Sequence, residues 1–168
     1  MNNEIEIRPL AVKDSLEELT TLLHRAYKKQ ADKGFIMLAS HQDVEMTKHR
    51  LKGAECYIAV HNGKLVATVC YYRHNNSTDG FWYDQPFVAT YGQFGVDPEY
   101  QNCGLGTKLI DLMESLAKRD GATEVSIDTA ENNINLINYY KKRGYREVGH
   151  VKWPLVNYRS VILSKTIK

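Results

Sequence analysis

Residues 56–74, "CYIAVHNGKLVATVCYYRH", constrain the fold more than any other stretch of this chain. Two alternating β-rich runs flank Asn62-Gly63, the preferred pair for a two-residue type I′ turn, which needs positive φ at both positions. An antiparallel hairpin is therefore expected. A third apolar run, "FVATYGQFGV" over 87–96, extends it into a meander. Gly92 and Gly95 inside that run predict a bulge, or a backbone that something approaches closely.

The rest of the chain alternates helical and strand patterns around this meander. "EIEIRPL" reads as a first strand. "KDSLEELTTLLHRAYKK" carries Leu16, Leu19, Leu23 and Tyr27 at helical spacing, with Ser15 and Glu18 as a capping box and its charges arranged to suit the dipole. "ADKGFIMLAS" reads as an ordered loop over the core, and "SHQDVEMTKHRL" as a shorter helix capped by Ser40. "NNSTDGFWYDQP" is a turn-rich connection. Leu105, Leu109, Leu112 and Leu116 mark an amphipathic helix to about Arg119, stopped by "DGA". "TEVSIDTA" is a strand, and "NNINLINYYKKRG" a helix with Asn133 as cap and Gly144 as stop. "YREVGHVKW" and "YRSVILSKTI" close the chain as strands. The expected order is β-α-α-β-β-β-α-β-α-β-β, an α/β single domain over 1–168 on a mixed, mostly antiparallel sheet.

Composition excludes several classes. Lys+Arg number 22 and Asp+Glu 20, net +2, which is no basic field for nucleic acid. No apolar run approaches the ~20 residues of a membrane span, and "MNNEIEIRPL" is unlike a signal peptide. Cys56, Cys70 and Cys103 show no paired spacing, so neither a zinc clamp nor a disulfide framework is expected. The six histidines, at 24, 41, 49, 61, 74 and 150, lack metal-ligand spacing. A reduced, soluble, cytoplasmic protein without metal or membrane partner is the expectation.

The junction "VDPEYQNCGLGTKLI", residues 96–110, carries the chemistry. A helix opening at Gly104 leaves its first amides without intrahelical acceptors, and with the helix dipole they form an anion site that glycine lets an anion reach. The order of residues is not that of a P-loop, and Leu109 stands where a Rossmann fingerprint needs its third glycine.

The Q-x-x-G-x-G pattern of Gln101, Gly104 and Gly106 resembles the acyl-CoA motif of the GNAT family of N-acetyltransferases. "ENNINLINYYKKRGY" resembles that family's second signature through Asn133, Tyr140, Gly144 and Tyr145. The resemblance covers essentially the whole chain, more loosely before residue 55. It implies an acyl-CoA N-acyltransferase fold whose central parallel strands splay apart, and transfer of acetyl from acetyl-CoA to a primary amine. It further implies that the CoA pyrophosphate rests on Gln101, Asn102, Cys103, Gly104, Leu105, Gly106 and Thr107. Phe94 and Val96 would bond the pantetheine by their backbone, and Asn133 would reach it, cap its helix, or do both. Tyr140 would protonate the leaving thiolate, a phenol of pKa ~10 serving a thiol of ~8.5.

For the base, the third strand of the meander offers Gln93 where relatives often carry a carboxylate. Asp128, Glu131, His41 and His24 stay open and none is chosen. Cys103 could be reactive at a helix N-terminus. Tyr71, Tyr72, Phe81, Trp82, Tyr83 and Phe87 could pack a core, line an acceptor pocket or make a homodimer contact, and Trp153 and Tyr158 are acceptor-side candidates. The acceptor is a small-molecule or peptide amine. A non-catalytic acyl-CoA sensor is the alternative, supported by Gln93 and opposed by Tyr140.

Overall fold

The computed structural model describes residues 4–73 and 82–167. Its elements are strand β1 (Glu6–Pro9), helices α1 (Leu16–Ala31), α2 (Leu38–His41) and α3 (Val44–Leu51), then strands β2 (Glu55–His61), β3 (Lys64–Tyr72) and β4 (Val88–Val96). Helix α4 (Leu105–Arg119), strand β5 (Glu124–Ala130), helix α5 (Ile134–Lys142) and strands β6 (Arg146–Val151) and β7 (Ser160–Thr166) follow. The seven-stranded sheet runs β1-β2-β3-β4-β5-β7-β6. Its pairings β1–β2, β2–β3, β5–β7 and β6–β7 are antiparallel, and β4–β5 is parallel over Val88–Thr90. This is the expected mostly antiparallel α/β architecture, with one more short helix than the sequence suggested. Among the described residues no helix is long and apolar enough to cross a membrane. Phe81 and most of the 75–86 connection lie outside the described residues.

Contacts divide the chain into two compact units, one running to Tyr71 and taking in Gly92–Asp111, the other comprising Tyr72–Tyr91 and the chain from Leu112. In the first, Ser15 caps α1 by accepting from the Glu18 amide at 3.1 Å. Glu18 does not complete the capping box; its Oε1 accepts from the Leu65 amide in β3 at 2.8 Å. Ser40 lies inside α2, and Asp43 caps α3 instead. Leu19 and Leu22 of α1 pack on Ile58 and Leu65 of the hairpin.

The hairpin turns as the sequence demands, with φ of +50° at Asn62 and +79° at Gly63. One bulge then changes its chemistry. His61 pairs with Lys64 and Val60 with Leu65, but Ala59 pairs with Ala67, so Val66 is an extra residue on β3. An unbroken register would set Cys56 opposite Val69; the shift sets it opposite Cys70, and the two form a disulfide. The expectation of unpaired cysteines is corrected here, because the bulge lies outside any spacing rule. The Val66 carbonyl in turn accepts from the Asp97 amide at 2.9 Å.

In the second unit, Gly121 (φ +71°) stops α4 and Gly144 (φ +91°) stops α5. Tyr83, Val88, Val151 and Ile162 form its apolar cluster, with Trp82 and Trp153 packed against it. For Trp82 and Tyr83, core packing is thus the observed role.

Candidate active site

The junction at the end of β4 is braced by a residue the sequence reading passed over. Asp97 is almost fully buried, accepts from the Glu99 amide at 3.1 Å and pairs with Arg25 at 2.9 Å. Burial alone would raise its carboxyl, but the Glu99 amide, Arg25 and Lys64 outweigh it and hold the pKa below the ordinary value. Beyond it the loop is tied by its own side chains: Gln101 Nε2 donates to the Val96 carbonyl at 3.1 Å and Cys103 Sγ to the Tyr100 carbonyl at 2.8 Å.

Asn102 (φ +61°) and Gly104 (φ +83°) are left-handed on either side of Cys103, a turn geometry that gathers successive amides around a concavity suited to an anion. Lys108 donates to the Gly104 carbonyl at 3.1 Å, the first bond of α4, so the Leu105 and Gly106 amides have no acceptor within the helix. A Cβ on Gly104 would meet nothing within 4 Å. Glycine there serves the backbone conformation and leaves the space above the turn open. At Gly106 a Cβ would sit 3.5 Å from Phe94 Cζ, ordinary contact with β4. Leu105 is buried and anchors the first turn, while Thr107 is exposed.

Strand β4 meets the expected close approach at Gly95 but places its left-handed backbone elsewhere. Its left-handed residue is Gln93, at φ +46°, not a glycine. Gly95 is required because α1 comes close: a Cβ there would lie 3.0 Å from that of Ala26. Gln93 is buried, accepts from Gln42 Nε2 at 3.0 Å and directs its own Nε2 at Cys70 Sγ, 3.9 Å away. Gln42 extends this network to Thr47 (2.7 Å) and Arg50 (2.6 Å). An amide suits the position, since the side chain must both accept and donate. The Phe94 carbonyl accepts from Tyr27 Oη at 2.8 Å, and the Val96 carbonyl from Gln101.

In the second unit, Tyr140 is buried, its ring set edge-on against Tyr139 at 5.6 Å and Tyr145 at 5.3 Å. Asn133 stands at the N-cap of α5, but its side chain makes no capping bond and its buried Nδ2 has no hydrogen-bond partner. Of the two roles considered for Asn133, side-chain capping is therefore not the one observed. Tyr91 Oη donates to Tyr145 Oη (3.1 Å), which donates to Glu114 (3.2 Å). Asp128 of β5 accepts from Tyr83 Oη at 3.0 Å and Trp153 Nε1 at 2.9 Å, and the two rings lie nearly parallel, 6.3 Å apart. Burial pushes the Tyr83 hydroxyl well above 10, and Asp128 and Tyr140 add to the shift.

The acetyltransferase (GNAT) family matches residues 16–145. The chain belongs to this family. It is 31% identical over 147 residues to the S-(2-succino)cysteine N-acetyltransferase of Bacillus subtilis (strain 168), covering 83% of this chain and 84% of that one. The S-alkylcysteine N-acetyltransferase of the same organism is 26% identical over 144 residues, 83% of this chain and 78% of its own. A GNAT acetyltransferase from Elizabethkingia anophelis, solved with acetyl-CoA bound, shares the fold at a TM-score of 0.65 and 15% identity, covering 99% of each chain.

A GNAT enzyme is an acetyl-CoA-dependent N-acetyltransferase, with acetyl-CoA as co-substrate. Features of each unit suit parts of that group: in the first, a glycine turn with open space above Gly104; in the second, a buried Asn133 amide nitrogen without a hydrogen-bond partner. Within the first unit the structure gathers Gln101–Thr107 with Phe94 and Val96; within the second it places Asn133 and Tyr140 on one helix. Of the residues left open as a base, His24 bonds the Gln42 carbonyl at 2.7 Å, Glu131 pairs with Arg159 at 2.7 Å, and His41 is exposed. What sequence reasoning missed is the bracket around Asp128 and the hydroxyl chain from Tyr91. The sequence had offered Asp128, Tyr83 and Trp153 only as separate candidates, and of the hydroxyl chain only Tyr145, as a motif residue.

Proposed function

We propose that this GNAT enzyme acetylates the primary amine of a small S-substituted cysteine, working as a single cytoplasmic domain over 1–168. The observation that carries acetyl-CoA use is the Gln101–Thr107 turn, with left-handed Asn102 and Gly104, open space above Gly104 and the uncapped start of α4. The acceptor class rests on the likeness to two Bacillus enzymes that act on S-(2-succino)cysteine and S-alkylcysteine.

Acetyl-CoA, when bound, supplies the acetyl group as a thioester. The amides of the turn hold its pyrophosphate, with the helix dipole adding to their pull. The backbone of Phe94 and Val96 binds the pantetheine arm, and Asn133 Nδ2 donates to the same arm. Tyr140 Oη protonates the departing sulfur; its burial excludes competing water. Calorimetric titration with acetyl-CoA and ATP, followed by thiol release with S-alkylcysteines, lysine and peptide amines, tests the reading. Saturable acetyl-CoA binding and fastest turnover on S-alkylcysteines are expected. Absence of acetyl-CoA binding sinks the reaction; turnover confined to peptides or lysine sinks the acceptor.

A further inference from the structure

Within the second unit, several elements converge on the Glu114 carboxylate of α4. Its Oε2 accepts from Lys165 of β7 at 2.7 Å, and its Oε1 from Tyr145 Oη at 3.2 Å and Arg143 at 3.5 Å. Two cations are enough to pair one carboxylate, so the tyrosine hydroxyl is an addition. A buried hydroxyl costs stability unless it is bonded, and this one is bonded twice, donating to Glu114 and accepting from Tyr91 of β4 at 3.1 Å. The Tyr145 ring is thereby pinned at its outer end, and the Lys165 ammonium lies 5.9 Å over its centroid. Tyr140 meets this pinned residue twice: its ring stands edge-on to that of Tyr145 at 5.3 Å, and its carbonyl accepts from the Tyr145 amide at 3.1 Å. Burial, and next Tyr140, push the Tyr91 hydroxyl well above 10, so Tyr140 also lies within electrostatic reach of the chain's other phenol.

We propose that Glu114, acting through the Tyr145 hydroxyl, is a positioning residue that fixes where Tyr140 holds its proton. The inference rests on the reading of Tyr140 as the acid, and on the Glu114–Tyr145–Tyr91 chain for the positioning. Helix α5 is only nine residues long, and Asn133 at its start makes no side-chain capping bond. Its other end is the tethered one. Arg143, the C-cap, and Tyr145, two residues on, both donate to Glu114, and their amides both donate to the Tyr140 carbonyl. The roll of the helix, and with it the aim of the Tyr140 side chain, is therefore set from Glu114. An acid must stand within hydrogen-bond reach of the atom it protonates, and small displacements of such a group are costly in rate. A phenylalanine at 145 would supply the same ring without the tether.

The test is thiol release from acetyl-CoA with S-ethylcysteine as acceptor, beside NMR of Tyr140 ring flips in the full chain carrying isotope-labelled tyrosine and no acceptor. Tyr145→Phe should lower kcat about 10-fold with KM for acetyl-CoA unchanged, the cost of a slightly misplaced reacting group. Glu114→Leu should do the same, while Glu114→Gln, which still offers Tyr145 an acceptor oxygen, should keep kcat within about 3-fold of wild type. Added to Tyr140→Phe, neither Tyr145→Phe nor Glu114→Leu should lower kcat further, because the group they position is gone. The Tyr140 ring should flip faster in Tyr145→Phe and Glu114→Leu than in wild type or Glu114→Gln. Tyr145→Phe decides even where Glu114→Leu does not fold. Wild-type kcat or wild-type ring flips in Tyr145→Phe overturn the positioning role. So does an equal fall in kcat on the Tyr140→Phe background, which a merely structural role would give. Wild-type kcat in Tyr140→Phe overturns the acid reading instead. If wild type does not turn over S-ethylcysteine, the ring flips decide alone: faster in Tyr145→Phe supports the role, and unchanged overturns it.

Discussion

The Gln101–Thr107 turn and the bracket of Asp128, Tyr83 and Trp153 present opposite ways of fixing polar groups in place. The turn uses backbone: six successive bonds of main chain, two left-handed residues and the start of a helix. The bracket uses side chains from three places, with Tyr83 45 residues and Trp153 25 residues from Asp128 in sequence. A backbone surface tolerates many side chains so long as the dihedrals are kept. A side-chain surface fails when one polar atom is lost.

That contrast is open to attack, first on the side-chain half. Tyr140→Phe removes one oxygen and should lower kcat by roughly 10²–10⁴ while leaving acetyl-CoA binding intact, measured by steady-state kinetics beside calorimetry. Unchanged turnover removes Tyr140 from the mechanism.

The backbone half is probed by adding a side chain. Space for one exists at Gly104, and aspartate tolerates the left-handed region better than most residues. Gly104→Asp should therefore fold, yet bind acetyl-CoA about 10- to 100-fold more weakly, because a carboxylate would face the pyrophosphate. Normal binding by this variant means the cradle has been misplaced.

The smallest expected effect separates both halves from plain stability. Arg8 donates twice to Asp14, both at 2.7 Å, and that pairing, aided by the Ala11 amide and opposed by burial, holds the Asp14 pKa at about 2 against an ordinary 3.8. A folded pKa below the unfolded one gives stability that is present above 3.8 and lost as pH falls toward about 2. Asp14→Asn should cost about 1–2 kcal/mol at pH 7 in denaturant unfolding, with the gap from wild type closing by pH 2. Acetyl-CoA affinity should be untouched at neutral pH. A change there would mean that neither half is as local as described.

Much of the turn was legible because its signals are short-range. Glycine at a strand-helix junction, proline before it and an apolar four-three-four repeat after it act on dihedrals and helix ends, and neighbours within a few residues decide those. Gln93 was legible only as an absence of a carboxylate; its left-handed backbone and its bond to Gln42, 51 residues away, were not. Asp97 gave no signal in the sequence, because its ion pair with Arg25 spans 72 residues.

By itself the sequence determined the order of the strands and of every helix but the short α2, the Asn62-Gly63 turn, the stops at Gly121 and Gly144, and membership of an acetyl-transfer family. Tertiary structure alone decided which side chains meet. The bulge at Val66 moved Cys56 from Val69 to Cys70. Strand and loop placement brought Tyr83 and Trp153 to Asp128, while Glu131 found an arginine. The physical reason is range: a turn or cap is settled by dihedral preferences of adjacent residues. A cross-strand partner depends on register, which one extra residue resets for every pair beyond it.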